Sequence, residues 1–169
     1  CHVCSPTRAS IMTGKYPGRL DLTDWLSGRR DFDFQSHISA EKLQALPLEE
    51  VTLAEALKAN GYRTGIFGKW HLGNDQAGPL SQGFDVQVPK WNGCCPRGGY
   101  HPPYKMEGLK IEGKEDEYLT DRLNFMALDF IEQAGENPFF LYLSHFSVHD
   151  PIQGRKDLVE KYRAKSAKL

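Results

Sequence analysis

The sequence has no apolar run approaching the length of a bilayer span and no positively charged leader followed by an apolar segment, so nothing in it reads as a membrane helix or a signal peptide. It also lacks a charge excess of either sign: 21 basic residues stand against 22 acidic ones, a formal net charge of −1. That balance removes the bulk field that nucleic acid or an anionic membrane would need, and any anion site must be built locally. Cysteine is sparse, four in 169 residues. Cys1-His2-Val3-Cys4 is a C-x-x-C, open to reading as a dithiol or as half of a zinc site, and His145 and His149 have H-x3-H spacing. These halves lie at opposite ends of the chain, whereas a zinc finger places them about a dozen residues apart. Ser5 after Cys4 also excludes the usual haem-attachment pattern, which needs histidine there. Adjacent Cys94 and Cys95 rarely bridge each other, so any disulfide they form is expected to run elsewhere. There is no initiator methionine and the chain opens inside a motif, so it is expected to be a fragment whose missing leader says nothing about compartment.

What is present is an ordinary globular composition, 40% hydrophobic and 25% charged, in the length range of one domain. Its opening stretch, Cys4-Ser5-Pro6-Thr7-Arg8-Ala9-Ser10-Ile11-Met12-Thr13-Gly14, predicts a short helix over 6–13, with Ser5 as N-cap, Pro6 at the first helical position, and Gly14 and Pro17 as the stop. Cys4 then lies just before a helix N-terminus, where unpaired N–H groups favour an anion, and Arg8 can turn its planar fork back toward it.

Residues 19–45 show weak periodicity and read as a surface excursion, in which Trp25, Arg29 and Arg30 either line a pocket or serve packing and solvation. Thr52-Leu53-Ala54-Glu55 is a capping box, Leu53, Ala56 and Leu57 form an apolar stripe, and Asn60-Gly61 is a stop. A short strand over 62–67 empties into Gly68-Lys69-Trp70-His71-Leu72-Gly73, where alternation sends Lys69 and His71 to one side and Trp70 to the other. The stretch 89–104 is a loop rich in glycine and proline, either a selector of substrate or a surface loop tied by its prolines. Leu119, Leu123, Met126, Ala127, Phe130 and Ile131 mark a helix over 118–133 with a core-facing stripe. The apolar run 138–144 reads as a strand buried on both faces and ends at His145-Phe146-Ser147-Val148-His149-Asp150-Pro151. An amphipathic basic helix, a solvated face, is expected over 154–169. Helices alternating with strands whose loops leave the C-terminal ends indicate an α/β fold with a mostly parallel sheet, and that end is where such sheets bind ligands.

The order Cys4, Pro6, Thr7, Arg8, Met12, Thr13, Gly14 resembles the signature of the type I sulfatases, a branch of the alkaline-phosphatase-like superfamily. Gly68-Lys69-Trp70-His71-Leu72-Gly73 resembles the second signature of that family, and Gly83-Phe84-Asp85 its structural continuation. The resemblance implies that 1–169 is a partial, N-terminal sulfatase catalytic domain. It implies that a maturation enzyme oxidises Cys4 to formylglycine, whose hydrate attacks the sulfur of a sulfate ester, an aryl sulfate or a sulfated glycan. Arg8 would hold the oxygens of the modified Cys4, Lys69 would bind the sulfate, and His71 would remove the second proton of the hydrate. His149, placed before Asp150-Pro151, would contact the sulfate or leaving oxygen as the acid, with His145 the neighbour more suited to satisfying a buried backbone group.

Calcium is the implied cation, held by the modified Cys4 and by acidic pairs that this chain does not contain. The fragment alone is therefore expected to be inactive. A secreted, periplasmic or lysosomal location is implied, with no nucleic-acid partner. Two other readings remain: a formylglycine-dependent phosphonate or phosphate-ester hydrolase, and a non-catalytic metal or redox module built on the C-x-x-C and histidines.

Overall fold

Three short strands carry the architecture in the computed structural model, which describes residues 1–109 and 117–167. They are β1 (Arg63–Gly68), β2 (Val86–Val88) and β3 (Phe139–Ser144), ordered β2-β1-β3 and all parallel. The helices are α1 (Cys4–Thr13), α2 (Leu53–Ala59), α3 (Leu119–Ala134) and α4 (Lys156–Ser166). The α/β reading with a parallel sheet holds; α1 begins two residues before its expected start, α2, β1, α3 and β3 fall within a residue or two of their expected bounds, and β2 is a strand the sequence does not announce. The final two residues of the expected tail helix lie outside the described residues.

β1 is the central strand, and Ile66, Phe67 and Thr64 on it are buried. One side packs against Ala9 and Met12 of α1 together with Trp70, Leu72 and Phe84. On the other side Phe67 meets Ala127 and Phe130 of α3, whose buried row Leu119, Leu123, Ala127, Phe130, Ala134 follows the expected stripe. Gly68 is required where β1 ends: its φ is +117°, and a Cβ there would overlap the Ser144 carbonyl. That close approach lets Lys69 N donate to Ser144 O at 2.6 Å and brings the ends of β1 and β3 together.

Three local expectations differ. In α2 the capping box forms reciprocally, Glu55 N donating to Thr52 Oγ1 at 3.1 Å and Thr52 N to Glu55 Oε2 at 2.7 Å. The face that docks, however, is Ala54, with Leu53 exposed, because Thr52 Oγ1 also donates to Gln82 O at 2.8 Å and so fixes the helix rotation. β3 is not buried on both faces, since Phe139 and Leu143 on one face are exposed, and among the described residues it has a strand neighbour on one side alone. The excursion after α1 is more than surface, since Leu20, Leu22 and Leu26 join the core and only the residues between Ser27 and Leu43 lie largely outside it. α4 carries no buried residue, in keeping with a solvated helix.

Candidate active site

Cys4 is the first residue of α1, one step further into the helix than the sequence indicates. The cause is Ser5, which does not cap. Its buried hydroxyl accepts from Leu26 N at 3.1 Å and lies 3.5 Å from His71 Nδ1, so Val3 takes the capping position without a side-chain bond. Thr7 ties the entry down instead, its hydroxyl donating to Cys1 O at 2.7 Å and Val3 O at 3.0 Å. The N–H groups of the first helical turn therefore have no side-chain cap, which suits an anion beside Cys4.

His71 meets Cys4 directly, Nδ1 lying 3.2 Å from Sγ. Its other nitrogen, Nε2, is 2.6 Å from the Leu26 carbonyl, which can only accept. Nε2 therefore carries the proton, and Nδ1 presents a lone pair to Cys4. Burial first, then the charge of Lys69, pushes the His71 pKa down to about 4, so the ring is neutral at neutral pH. Its φ of +57° is rare for a side-chain-bearing residue and marks a backbone held for its side chain's placement.

Lys69 is 3% exposed. Burial lowers its pKa, its interaction with Cys4 opposes that shift, and the charge of Arg8 adds to it. Trp70 between them is in the core, its Nε1 donating to Ala77 O at 2.9 Å. Lys69 and His71 thus converge on Cys4 as alternation predicts, although the turn at His71 rather than an extended strand accomplishes it. Arg8 Nη1 donates to Lys69 O at 2.7 Å and to Ser144 Oγ, with Tyr142 OH at 3.5 Å, and so fastens α1 to the ends of β1 and β3.

The titration of His71 has a stability consequence. As pH falls through about 6.5 an unfolded histidine takes up a proton, while folded His71 does so only near about 4. Its contribution is complete above the first value and is lost as pH falls through that window. Urea unfolding at about pH 7 and about pH 5 should show a smaller loss for His71→Gln than for the parent; equal losses would contradict the assignment.

His149 is exposed on the rim of a cleft of about 400 Å³ lined by Val3, Cys4, Trp25, His71, Cys94 and His149. Tyr100 OH donates to His149 O at 3.1 Å, and His149 N donates to Phe146 O at 3.0 Å, which sets the turn that carries the ring. His145 does not line the cleft, and among the described residues its buried Nδ1 has no hydrogen-bond partner, so that nitrogen does not satisfy a backbone group there. A larger concavity of about 710 Å³, lined in part by His2, Val3, Asp24, Arg29 and Lys42, shares only Val3 with this cleft and is not lined by Cys4, Lys69, His71 or His149.

Cys94 and Cys95 are joined to each other, against the expectation that they pair elsewhere. Their Cα atoms are 3.8 Å apart, closer than in most disulfides, but adjacent residues can bridge when the loop turns their sulfurs to one side. Cys1 and Cys4 are free thiols and do not assemble with His145 and His149. Among the described residues the one group of three or more His, Cys, Asp or Glu side chains able to converge on an ion is Cys94, Cys95 and His149. Calcium takes six to eight oxygens, and around Cys4 the described residues offer Arg8, Lys69 and His71 and no carboxylate cluster. The described residues do not fit that ion by themselves, and no step below passes through it.

The sulfatase family profile matches residues 1–169. The chain is 31% identical over 175 residues to an arylsulfatase of Hemicentrotus pulcherrimus, spanning 92% of this chain and 30% of that protein. To the human N-acetylgalactosamine-6-sulfatase it is 34% identical over 174 residues, spanning 91% of this chain and 32% of the relative. The crystal structure of Ps i-CgsB in complex with k-i-k-neocarrahexaose superposes with a TM-score of 0.66 at 25% identity, covering 95% of this chain and 38% of that one. The chain belongs to the sulfatase family and has its α/β fold. It spans about a third of the length of the curated relatives it matches.

Several residues of the site escaped sequence reasoning. Ser5 was masked by its fitness as a cap, and Leu26 acts through a backbone carbonyl that no residue type announces. Ser144, a strand terminus, meets Arg8 only because of Gly68. Trp25 and Cys94 did not escape it: Trp25 was a candidate pocket residue and Cys94 lies in the candidate selector loop, and both line the cleft.

Proposed function

We propose that this chain is the nucleophile-bearing segment of a sulfatase that hydrolyses the sulfate esters of aryl compounds or glycans, and that Cys4 is its formylglycine precursor. The observation that carries the reading is the convergence of His71 Nδ1 on Cys4 Sγ at 3.2 Å, beside a buried Lys69 and an uncapped helix start. The hydrated aldehyde would supply an oxygen nucleophile toward sulfur. Lys69 neutralises the sulfate oxygens in a water-poor setting, where such a charge acts most strongly. Arg8 holds the Lys69 carbonyl and the end of β3 in place beside position 4. His71, neutral and with its lone pair turned to position 4, accepts the proton whose removal lets sulfate leave. His149 on the rim donates to the leaving oxygen.

A maturation enzyme is the implied partner. Calcium would need acidic ligands that the described residues do not bring to Cys4, and we expect the segment alone to be inactive. The Cys94–Cys95 disulfide suits the secreted, periplasmic or lysosomal compartment expected of the family. Among the described residues no helix is long and apolar enough to cross a membrane.

The complete enzyme, matured and supplied with calcium, is expected to release sulfate from an aryl sulfate much faster than it releases phosphate or phosphonate from the matching esters. A preference for phosphate or phosphonate would shift the assignment to the related formylglycine-dependent hydrolases.

A further inference from the structure

The disulfide on the cleft wall and the histidine beside it form a second chemical unit. The sulfurs of Cys94 and Cys95 and a ring nitrogen of His149 all lie within 4.8 Å of one another. Two loops hold them there. Trp91 Nε1 donates to Cys95 O at 2.8 Å, with Arg97 stacked 5.6 Å from the Trp91 ring, which fixes the cysteine loop. Tyr100, from the same stretch, is 1% exposed and donates its hydroxyl to His149 O, while its N–H donates to Gln153 Oε1 at 2.8 Å. The loop bearing His149 is thereby fastened to the loop bearing the cysteines by hydrogen bonds that do not involve the S–S bond.

We propose that Cys94, Cys95 and His149 are a redox-gated site for a zinc-type ion on the wall of the substrate cleft. In the oxidised state the sulfurs are bonded to each other and offer no thiolate. A reduced dithiol passes two electrons and two protons to the S–S bond, giving two thiols and its own disulfide. The ion then displaces the two thiol protons and binds two thiolates and the neutral imidazole. Metal–sulfur bonds of about 2.3 Å and metal–nitrogen bonds of about 2.0 Å set tetrahedral ligand atoms about 3.5 Å apart, inside the 4.8 Å that encloses the three donors, with an opening of the bonded sulfur pair. Two thiolates with an imidazole suit zinc or cobalt rather than calcium. The fourth position faces the cleft, since Cys94 and His149 both line it. Occupation takes up the His149 ring nitrogen on the rim of the cleft that holds Cys4. The site stands on its own residues and does not depend on the sulfatase reading.

The test uses Co²⁺ as probe on the complete chain carrying Cys1→Ser and Cys4→Ala, so that Cys94 and Cys95 are the only thiols left in the segment described here. Reduction with a phosphine, which takes its oxygen from water while each sulfur gains a proton, should yield one additional bound Co²⁺ with a thiolate-to-cobalt charge-transfer band. Reoxidation should abolish both. Cys94→Ser/Cys95→Ser should lose the band, and His149→Gln, which keeps the disulfide, should weaken binding at least tenfold. No additional cobalt on reduction, or a band that survives reoxidation or the double serine substitution, would overturn the proposal, as would an unchanged affinity in His149→Gln. None of these readouts requires turnover, so a chain without sulfatase activity would still decide it.

Discussion

Lys69→Ala and His71→Ala, each made in the complete matured enzyme, are expected to lower turnover of an aryl sulfate by about 10² to 10³, the scale found when one preorganised electrostatic or proton-handling group is removed. Lys69 has 3% of its surface exposed, so its charge meets a bound sulfate with little screening, and removing it leaves the sulfate oxygens without that partner. The loss at His71 has a different origin, a missing acceptor at Nδ1 3.2 Å from position 4. Stability should separate the two. Lys69→Ala removes a charge that burial disfavours, so its cost in folding is small. His71→Ala strands the buried Leu26 carbonyl, at about 1 to 3 kcal/mol. His71→Gln can keep a donor toward that carbonyl and should recover stability but not turnover, a split that distinguishes chemistry from packing. Steady-state kinetics beside urea unfolding measures both, and unchanged turnover in the alanine variants would refute the assignment.

The second large effect belongs to His149 and depends on the substrate. A proton donor matters most when the leaving alcohol is poor, so His149→Ala should slow an alkyl or sugar sulfate far more than an activated aryl sulfate. His145→Ala should lack that dependence, because His145 does not line the cleft and its Nδ1 is buried with no partner among the described residues. If the leaving-group dependence appears in His145→Ala and not in His149→Ala, the two roles must be exchanged.

Much of the scaffold was legible because its signals are local. The capping box at Thr52 and Glu55, the glycine stop at Gly14 and the four-residue spacing of Leu119, Leu123 and Ala127 each encode an element within a few residues. The loop bearing Lys69 and His71 was legible as a pair because two chemically active side chains flank a tryptophan that must be buried. What could not be read depends on contacts between distant segments. Ser5 looks like a cap until Leu26 N, far along the chain, claims its hydroxyl. Leu53 looks buried until Thr52 reaches Gln82 and turns the helix. β3 has the composition of a doubly covered strand, yet its having a strand neighbour on one side alone among the described residues is a property of topology. The Cys94–Cys95 bond is set by the loop's turn, and sequence statistics argue against it.

The central claim is the fate of Cys4, and mass spectrometry of the peptide that carries it, taken from an active preparation of the complete enzyme, tests that claim most directly. The account predicts that the side chain is an aldehyde, its CH₂SH replaced by CHO, and that the modified fraction tracks sulfate release across preparations. An active preparation whose Cys4 is entirely thiol would contradict it.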